Sequence, residues 1–283
     1  MSTFTKVLLA TDLTSQSDNL TQCLFSLCPD TETEVVLAHV FEDDDDADPD
    51  GSNYKKASSR LDGYKHDLEQ AGYEDVTIVT PVGEPSEVLH DQADALEADL
   101  MMVASHNKNF FERAFMGSTT LAMAKSTTTP LFIYKDEEEK GPGHGLLDTV
   151  LVATDFSKKS LEALNLIRSL REYVGRVLFV HVIERGSRSK QDYKEKLKNA
   201  NLFLQELVDE LKIFGIEASF IVSRGVASRQ IDAICEAEKV SLIMMAKTGL
   251  DLNNSFDLGS TAENVVLNVD CPILLLPAEE IDE

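Results

Sequence analysis

The chain says the same thing twice: Val7-Leu8-Leu9-Ala10-Thr11-Asp12-Leu13 returns 143 residues later as Val150-Leu151-Val152-Ala153-Thr154-Asp155-Phe156. The echo continues in order. His39-Val40 recurs as His181-Val182, Gly83 as Gly225, Ala104 as Ala246, Gly117-Ser118-Thr119 as Gly259-Ser260-Thr261 and Pro130 as Pro272, all at an offset of 142. A period this long is a whole domain rather than a solenoid unit. Preserved spacing over both halves means that each half carries the same strands, helices and turns. Anything the shared residues do is therefore possible twice, and differences between the halves become informative.

Each half opens on a continuous apolar run, Val7 to Ala10 and Val150 to Ala153, of the kind a strand shows when both its faces are buried. A helix follows, with one apolar stripe at three- and four-residue spacing: Leu20, Leu24 and Leu27 in the first half, Leu161, Leu164, Ile167 and Leu170 in the second. The pattern then predicts a second strand over 34–41 and 176–183, a longer amphipathic helix, and a third strand over 76–80 and 218–223. Gly83 and Gly225 open a third helix, and a fourth strand spans 100–104 and 242–246. A polar loop, a fourth helix and a fifth strand over 131–134 and 273–276 close each unit. Strand and helix alternating with apolar strands imply α/β architecture. The expectation is two repeated doubly wound domains, each an open, mainly parallel five-stranded sheet with helices on both faces.

The segment 136–145 is charged and rich in glycine and proline without apolar periodicity, so it reads as an exposed linker dividing domains 1–140 and 141–283. Cys23, Cys28, Cys235 and Cys271 show no CxxC or Cys/His spacing and read as buried structural thiols. No apolar run is long enough to span a bilayer, and no secretory signal pattern opens the chain, so the expected location is the cytoplasm with no membrane partner. A net charge of −24 argues against nucleic acid as a partner. The charge is uneven: residues 1–140 hold 10 basic and 28 acidic side chains (net −18), and residues 141–283 hold 16 and 22 (net −6). The second half is the less hostile to an anion. Much of the difference lies in the acidic run 42–50. It lacks the terminal glutamate of an EF-hand loop, so it reads as a self-repelling solvated loop rather than a cation site.

In open α/β sheets ligands sit beyond the carboxyl ends of the strands, where the strand order reverses. That rule selects Asp12 and Asp155 after the first strand, Val40 and Val182 after the second, and the loop after the fourth. In the second half this loop runs Ala246-Lys247-Thr248-Gly249, nine residues, then Gly259-Ser260-Thr261 at a helix start, where free amides and the helix dipole favour a phosphate. In the first half it runs Ala104-Ser105-His106-Asn107, nine residues, then Gly117-Ser118.

Here the chain resembles the universal stress protein family in its tandem form, over essentially all of both halves. Nucleotide-binding members carry a loop of the form Gly, two residues, Gly, nine residues, Gly-Ser/Thr. The second half matches it with Ala246 in place of the first glycine; the first half has Ala104 and Asn107 in place of two glycines. The resemblance implies a Rossmann-like fold of the adenine nucleotide alpha hydrolase kind. It also implies that Asp155 and the backbone of Val182 contact adenine or ribose, that Gly249, Gly259, Ser260 and Thr261 hold the phosphates, and that Thr154 and Ala246 belong to the same nucleotide site. Asp12, Val40, Ala104, Asn107, Gly117 and Ser118 are the weaker equivalents in the first domain. The implied ligand is ATP, AMP or ADP, with magnesium as an accompanying ion. The resemblance further implies pairing of the fifth strands, here as an intrachain pseudo-dimer, with a homodimer as a further association.

For Asp12 and Asp155 the residues leave two roles open, a ribose hydrogen bond and a plain helix cap. His39 and His181 read as satisfied core residues. Neither half holds a Ser-His-Asp arrangement, a metal cluster or a GxxxxGK[ST] loop, so no catalytic residue is expected. The expected function is a stress-response regulator that binds an adenine nucleotide, mainly in the second domain, and acts on an unknown protein partner. The alternative is a scaffold working through protein contacts without nucleotide, and behind it an enzyme acting on an adenine nucleotide.

Overall fold

The computed structural model describes residues 4–14, 17–105, 117–135, 145–184, 189–248 and 258–277. The chain divides into two compact units, Met1–His144 and Gly145–Glu283.

In unit 1 the strands are β1 (Lys6–Ala10), β2 (Glu34–Ala38), β3 (Val76–Val79), β4 (Leu100–Ala104) and β5 (Leu131–Tyr134). They alternate with α1 (Asp18–Leu27), α2 (Ser52–Gln70), α3 (Pro85–Leu96) and α4 (Ser118–Ser126). Every strand pair in the unit is parallel, in the order β3-β2-β1-β4-β5. Right-handed crossovers place α1 and α2 on one face and α3 and α4 on the other, because the chain steps one way from β1 to β3 and the other way from β3 to β5. The order reverses between β1 and β4, which is where the crevice of such a sheet opens.

Unit 2 repeats this with β6 (Thr149–Ala153), α5 (Lys158–Ser169), β7 (Arg176–Ile183), α6 (Lys190–Ile213), β8 (Glu217–Arg224), α7 (Ala227–Glu238), β9 (Leu242–Ala246), α8 (Ser260–Asn268) and β10 (Ile273–Leu276). Its strand order is β8-β7-β6-β9-β10, again all parallel, and its reversal lies between β6 and β9. The core is the sheet itself: Val7, Leu8, Val35, Leu37, Leu100 and Met102 in unit 1, and Val150, Leu151, Val177, Phe179, Leu242 and Met244 in unit 2, are fully sequestered from water. This matches the continuous apolar runs, since strands covered on both faces have no solvent side to alternate with. All four cysteines are buried free thiols.

The units differ at the second strand. Periodicity carries it through Phe41, whereas β2 ends at Ala38 and Phe41 makes an isolated bridge to Val82. The ladder bonds His39 N to Val79 O (3.1 Å), Phe41 N to Pro81 O (2.9 Å) and Gly83 N to Phe41 O (2.9 Å) all form. The bond due between them would come from the amide of residue 81, which is proline and has no donor. Unit 2 has Ser223 there, and β7 and β8 pair without a break as far as Ile183 and Arg224.

Candidate functional site

Strand register brings the sequence-selected residues to one end of each sheet. In unit 1, β1 lies beside β2 with Ala10 opposite Ala38, and beside β4 with Leu9 opposite Met102. Asp12, Val40 and Ala104 therefore all stand at the carboxyl edge. In unit 2 the pairs Ala153 with Val180 and Ala153 with Met245 do the same for Asp155, Val182 and Ala246.

Backbone direction decides what Val40 and Val182 present. Along a strand successive residues aim their N–H and C=O to opposite sides. Val180 O accepts from Thr154 N (2.9 Å), so Val180 faces β6; Ile183 O accepts from Gly225 N (3.2 Å), so Ile183 faces β8. Val182 thus faces the β6 side, beyond the last residue of that strand. In unit 1, Ala38 O accepts from Thr11 N (2.8 Å) and Phe41 O from Gly83 N (2.9 Å), which turns Val40 toward β1 in the same way. Among the described residues, neither valine spends its backbone donor or acceptor on the protein. Each presents a donor and an acceptor side by side at the mouth of the crevice.

The carboxylates are held by tight turns, and neither is a helix cap: the N-cap residues are Ser17 and Ser157. Asp12 Oδ1 accepts from Thr14 N (3.1 Å), Thr14 Oγ1 (2.8 Å) and Ser17 Oγ (2.6 Å). Asp155 Oδ1 accepts from Ser157 N (3.0 Å), while Ser160, the counterpart of Ser17, bonds instead to Thr154 Oγ1 (2.7 Å). The residue after each carboxylate, Leu13 (φ 60°) and Phe156 (φ 69°), sits in the left-handed region, costly for a bulky side chain. The same strain at the same place in both repeats marks the turn as one that surrounding structure imposes.

His39 and His181 are half-buried and satisfied, each Nδ1–H donating to the carbonyl of the threonine before the aspartate, Thr11 O and Thr154 O, at 2.9 Å. A carbonyl only accepts, so both rings carry their proton on Nδ1. Burial holds the His181 imidazole below its ordinary pKa, so at neutral pH it is uncharged. Phe156 stacks on that ring (centroids 4.2 Å, 26°) and meets Phe203 of α6 edge-on at 4.8 Å.

On the far side of the crevice stand the starts of α4 and α8. Gly117 (φ −56°, ψ 139°) and Gly259 (φ −60°, ψ 144°) are their N-cap residues, with no side-chain cap on either helix. Neither glycine needs a left-handed backbone, so conformational freedom is not the reason for glycine here. A Cβ built on Gly117 meets nothing within 4 Å, which leaves room in front of the helix start. Ala104 and Ala246 lie within their strands, outside the left-handed region, so replacing the family's first glycine adds a methyl without backbone strain. Gly259 N donates to Lys247 O (2.9 Å) and Lys247 N to Leu276 O (2.7 Å), pinning the base of the intervening loop to the sheet. Lys247 and Thr248 are buried at that base, and the sequence reading passed over both. Asn107 and Gly249 lie outside the described residues, so the site as described in unit 2 comprises Thr154, Asp155, Val182, Ala246, Gly259, Ser260 and Thr261. Among the described residues no three His, Cys, Asp or Glu side chains converge as metal ligands, the acidic run after β2 included. No helix among them is long and apolar enough to cross a membrane.

The model of the universal stress protein family matches residues 3–135 and again 147–277. Two curated universal stress proteins of Methanocaldococcus jannaschii are similar, one 27% identical over 150 residues (47% of this chain, 84% of the relative) and one 25% identical over 150 residues (45% and 93%). Among solved structures, a universal stress protein from Archaeoglobus fulgidus superposes with a TM-score of 0.74 at 23% identity, covering 96% of this chain and 98% of that one. One from Pseudomonas aeruginosa does so at 0.72 and 13%, covering 97% and 94%, and both likenesses bear on the fold alone. With the family model matched once in each repeat, over nearly all of the chain, this protein belongs to the universal stress protein family in its tandem, two-domain form.

Proposed function

We propose that this protein is a stress-response regulator whose second domain, within residues 141–283, binds ATP or a related adenine nucleotide. The observation that carries the reading is the unspent backbone donor and acceptor of Val182, set across the crevice from the start of α8. A purine edge offers the matching acceptor and donor, and the uncapped helix start at Gly259, Ser260 and Thr261 suits a phosphate through its amides and dipole. Asp155 then takes the ribose hydroxyls. Magnesium would screen the polyphosphate charge.

The first domain, within residues 1–140, is the weaker candidate. Asp12 Oδ1 already accepts three bonds from its own turn, and its unit carries most of the negative charge. Nucleotide occupancy in the second domain shifts affinity for a protein partner, so the chain acts as a regulator rather than a catalyst.

Calorimetric titration of nucleotide-stripped protein with ATP and magnesium, run beside Gly259→Asp, tests this. The expected result is one site, lost when the carboxylate occupies the phosphate position. Absence of heat at several temperatures, together with an unmoved melting temperature in millimolar ATP, would sink the nucleotide reading and leave the scaffold.

A further inference from the structure

In a parallel pair, a residue facing its neighbour strand donates to the residue before its opposite number and accepts from the residue after it. In unit 2, Val180 lies opposite Ala153 and its carbonyl takes the amide of Thr154. The next residue of β7 facing that way is Val182, opposite Asp155. Continuing the ladder would send Val182 N–H to Thr154 O and Phe156 N–H to Val182 O.

Neither bond is made. Thr154 O instead takes Nδ1–H of His181 (2.9 Å), and Phe156 N–H goes to the side chain Oγ1 of Thr154 (3.0 Å). Two side chains have replaced both halves of the backbone pair. Unit 1 does the same: His39 Nδ1–H donates to Thr11 O (2.9 Å) and Leu13 N–H to Thr11 Oγ1 (3.0 Å), in place of the two bonds Val40 would make. The left-handed backbone of Leu13 and Phe156 accompanies the turn that carries their amides to the threonine hydroxyl. An aromatic ring packs each imidazole, Phe156 against His181 and Phe41 edge-on to His39 at 4.9 Å.

We propose that His39 with Thr11, and His181 with Thr154, are positioning residues that end the β1–β2 and β6–β7 ladders one step early and so keep the backbone N–H and C=O of Val40 and Val182 available to a ligand. Use of that pair by a nucleotide base rests on the function proposed above; its exposure does not. In this role the histidines are interchangeable only with a side chain that places an N–H where Nδ1 stands.

Two variants of the full chain separate this from a packing role. His181→Phe keeps a ring against Phe156 but loses the donor; His181→Asn loses the ring but keeps an N–H at the Nδ1 position. Amide hydrogen exchange read by NMR on ligand-free protein should find Val182 exchanging rapidly in the parent and in His181→Asn. In His181→Phe it should be at least about tenfold slower, because its N–H moves to the vacated Thr154 carbonyl. ATP affinity should fall about tenfold in His181→Phe and stay within about threefold in His181→Asn. Unit 1 supplies a second instance, His39→Phe read at the Val40 amide, should the first variant fold poorly. Unchanged Val182 exchange in His181→Phe, or equal affinity losses in both variants, overturns the proposal. A parent protein that binds no ATP removes the nucleotide reading, and the exchange comparison still decides this one.

Discussion

Lys239 ends α7 in the left-handed conformation (φ 53°, ψ 51°), with its amide bonded to Cys235 O and its side chain in solvent. Glycine should be better there. A Cβ in this region costs roughly 1–2 kcal/mol, and glycine returns about 0.5–1 kcal/mol of that through the greater entropy of its unfolded chain, leaving Lys239→Gly a net gain of about 0.5–1 kcal/mol. Unfolding entropy of about 2.1 cal/mol/K per residue, over a unit of about 140 residues, amounts to about 0.3 kcal/mol/K, so the melting temperature of that unit should rise by about 2–3 °C. Differential scanning calorimetry of Lys239→Gly beside Lys239→Ala reads this directly. Alanine keeps the Cβ and removes only the exposed charge, so it should leave the transition within about 1 °C of the parent. Equal shifts for both variants, or a lower melting temperature for glycine, would refute the backbone argument. The repeat offers its own replicate: Glu97 ends α3 at φ 53°, ψ 44°, also exposed, and Glu97→Gly should gain a similar amount in unit 1.

Phe179 fills the centre of β7 with no exposure, so Phe179→Ala should cost about 3–5 kcal/mol in a urea melt, and a loss below about 1 kcal/mol would mean that the site collapses around the cavity. Because the folded protein depresses the His181 pKa, the unfolded chain takes up that proton first as pH falls. The stability contributed by neutral His181 is complete above its unfolded pKa of about 6.5 and is lost as pH falls through the lower folded value. The difference in unfolding free energy between the parent and His181→Asn should therefore shrink on going from pH 7.5 to pH 5, and a difference independent of pH would contradict it. Arg176 forks onto Glu238 (3.1 and 3.2 Å), the Glu238 carbonyl (2.8 Å) and Thr149 Oγ1 (3.1 Å) while one-third exposed. Arg176→Ala should destabilise by about 1 kcal/mol in the same urea melt, a loss that shrinks in high salt.

Much of the architecture was legible in the sequence because its signals are local. Apolar runs such as Val7 to Ala10 mark strands buried on both faces, helical spacing marks α1 and α5, and the echo between halves guarantees that one reading serves for both. The order of the repeated residues also placed Asp12, Val40 and Ala104, with their counterparts, at one edge of each sheet. Boundaries were less legible where a single atom decided them. The end of β2 at Ala38 follows from the missing donor of Pro81, some forty residues downstream, which no periodicity within β2 reveals.

What the sequence alone determined is a duplicated, doubly wound α/β domain and the list of residues at its carboxyl edge, since composition, period and spacing are properties of the linear chain. Which groups at that edge remain available was decided by tertiary structure. The register of β6 against β7 sets the direction in which Val182 aims its backbone, and a side chain 27 residues away occupies Thr154 O in its place. Whether a methyl at Ala246 strains its backbone depended on a strand dihedral, and how Asp12 is held depended on Ser17 reaching it while Ser160 turns to Thr154. Hydrogen bonds are assigned by competition among groups that meet only once the strands have paired, so the same repeated letters yield two carboxylate turns that are wired differently.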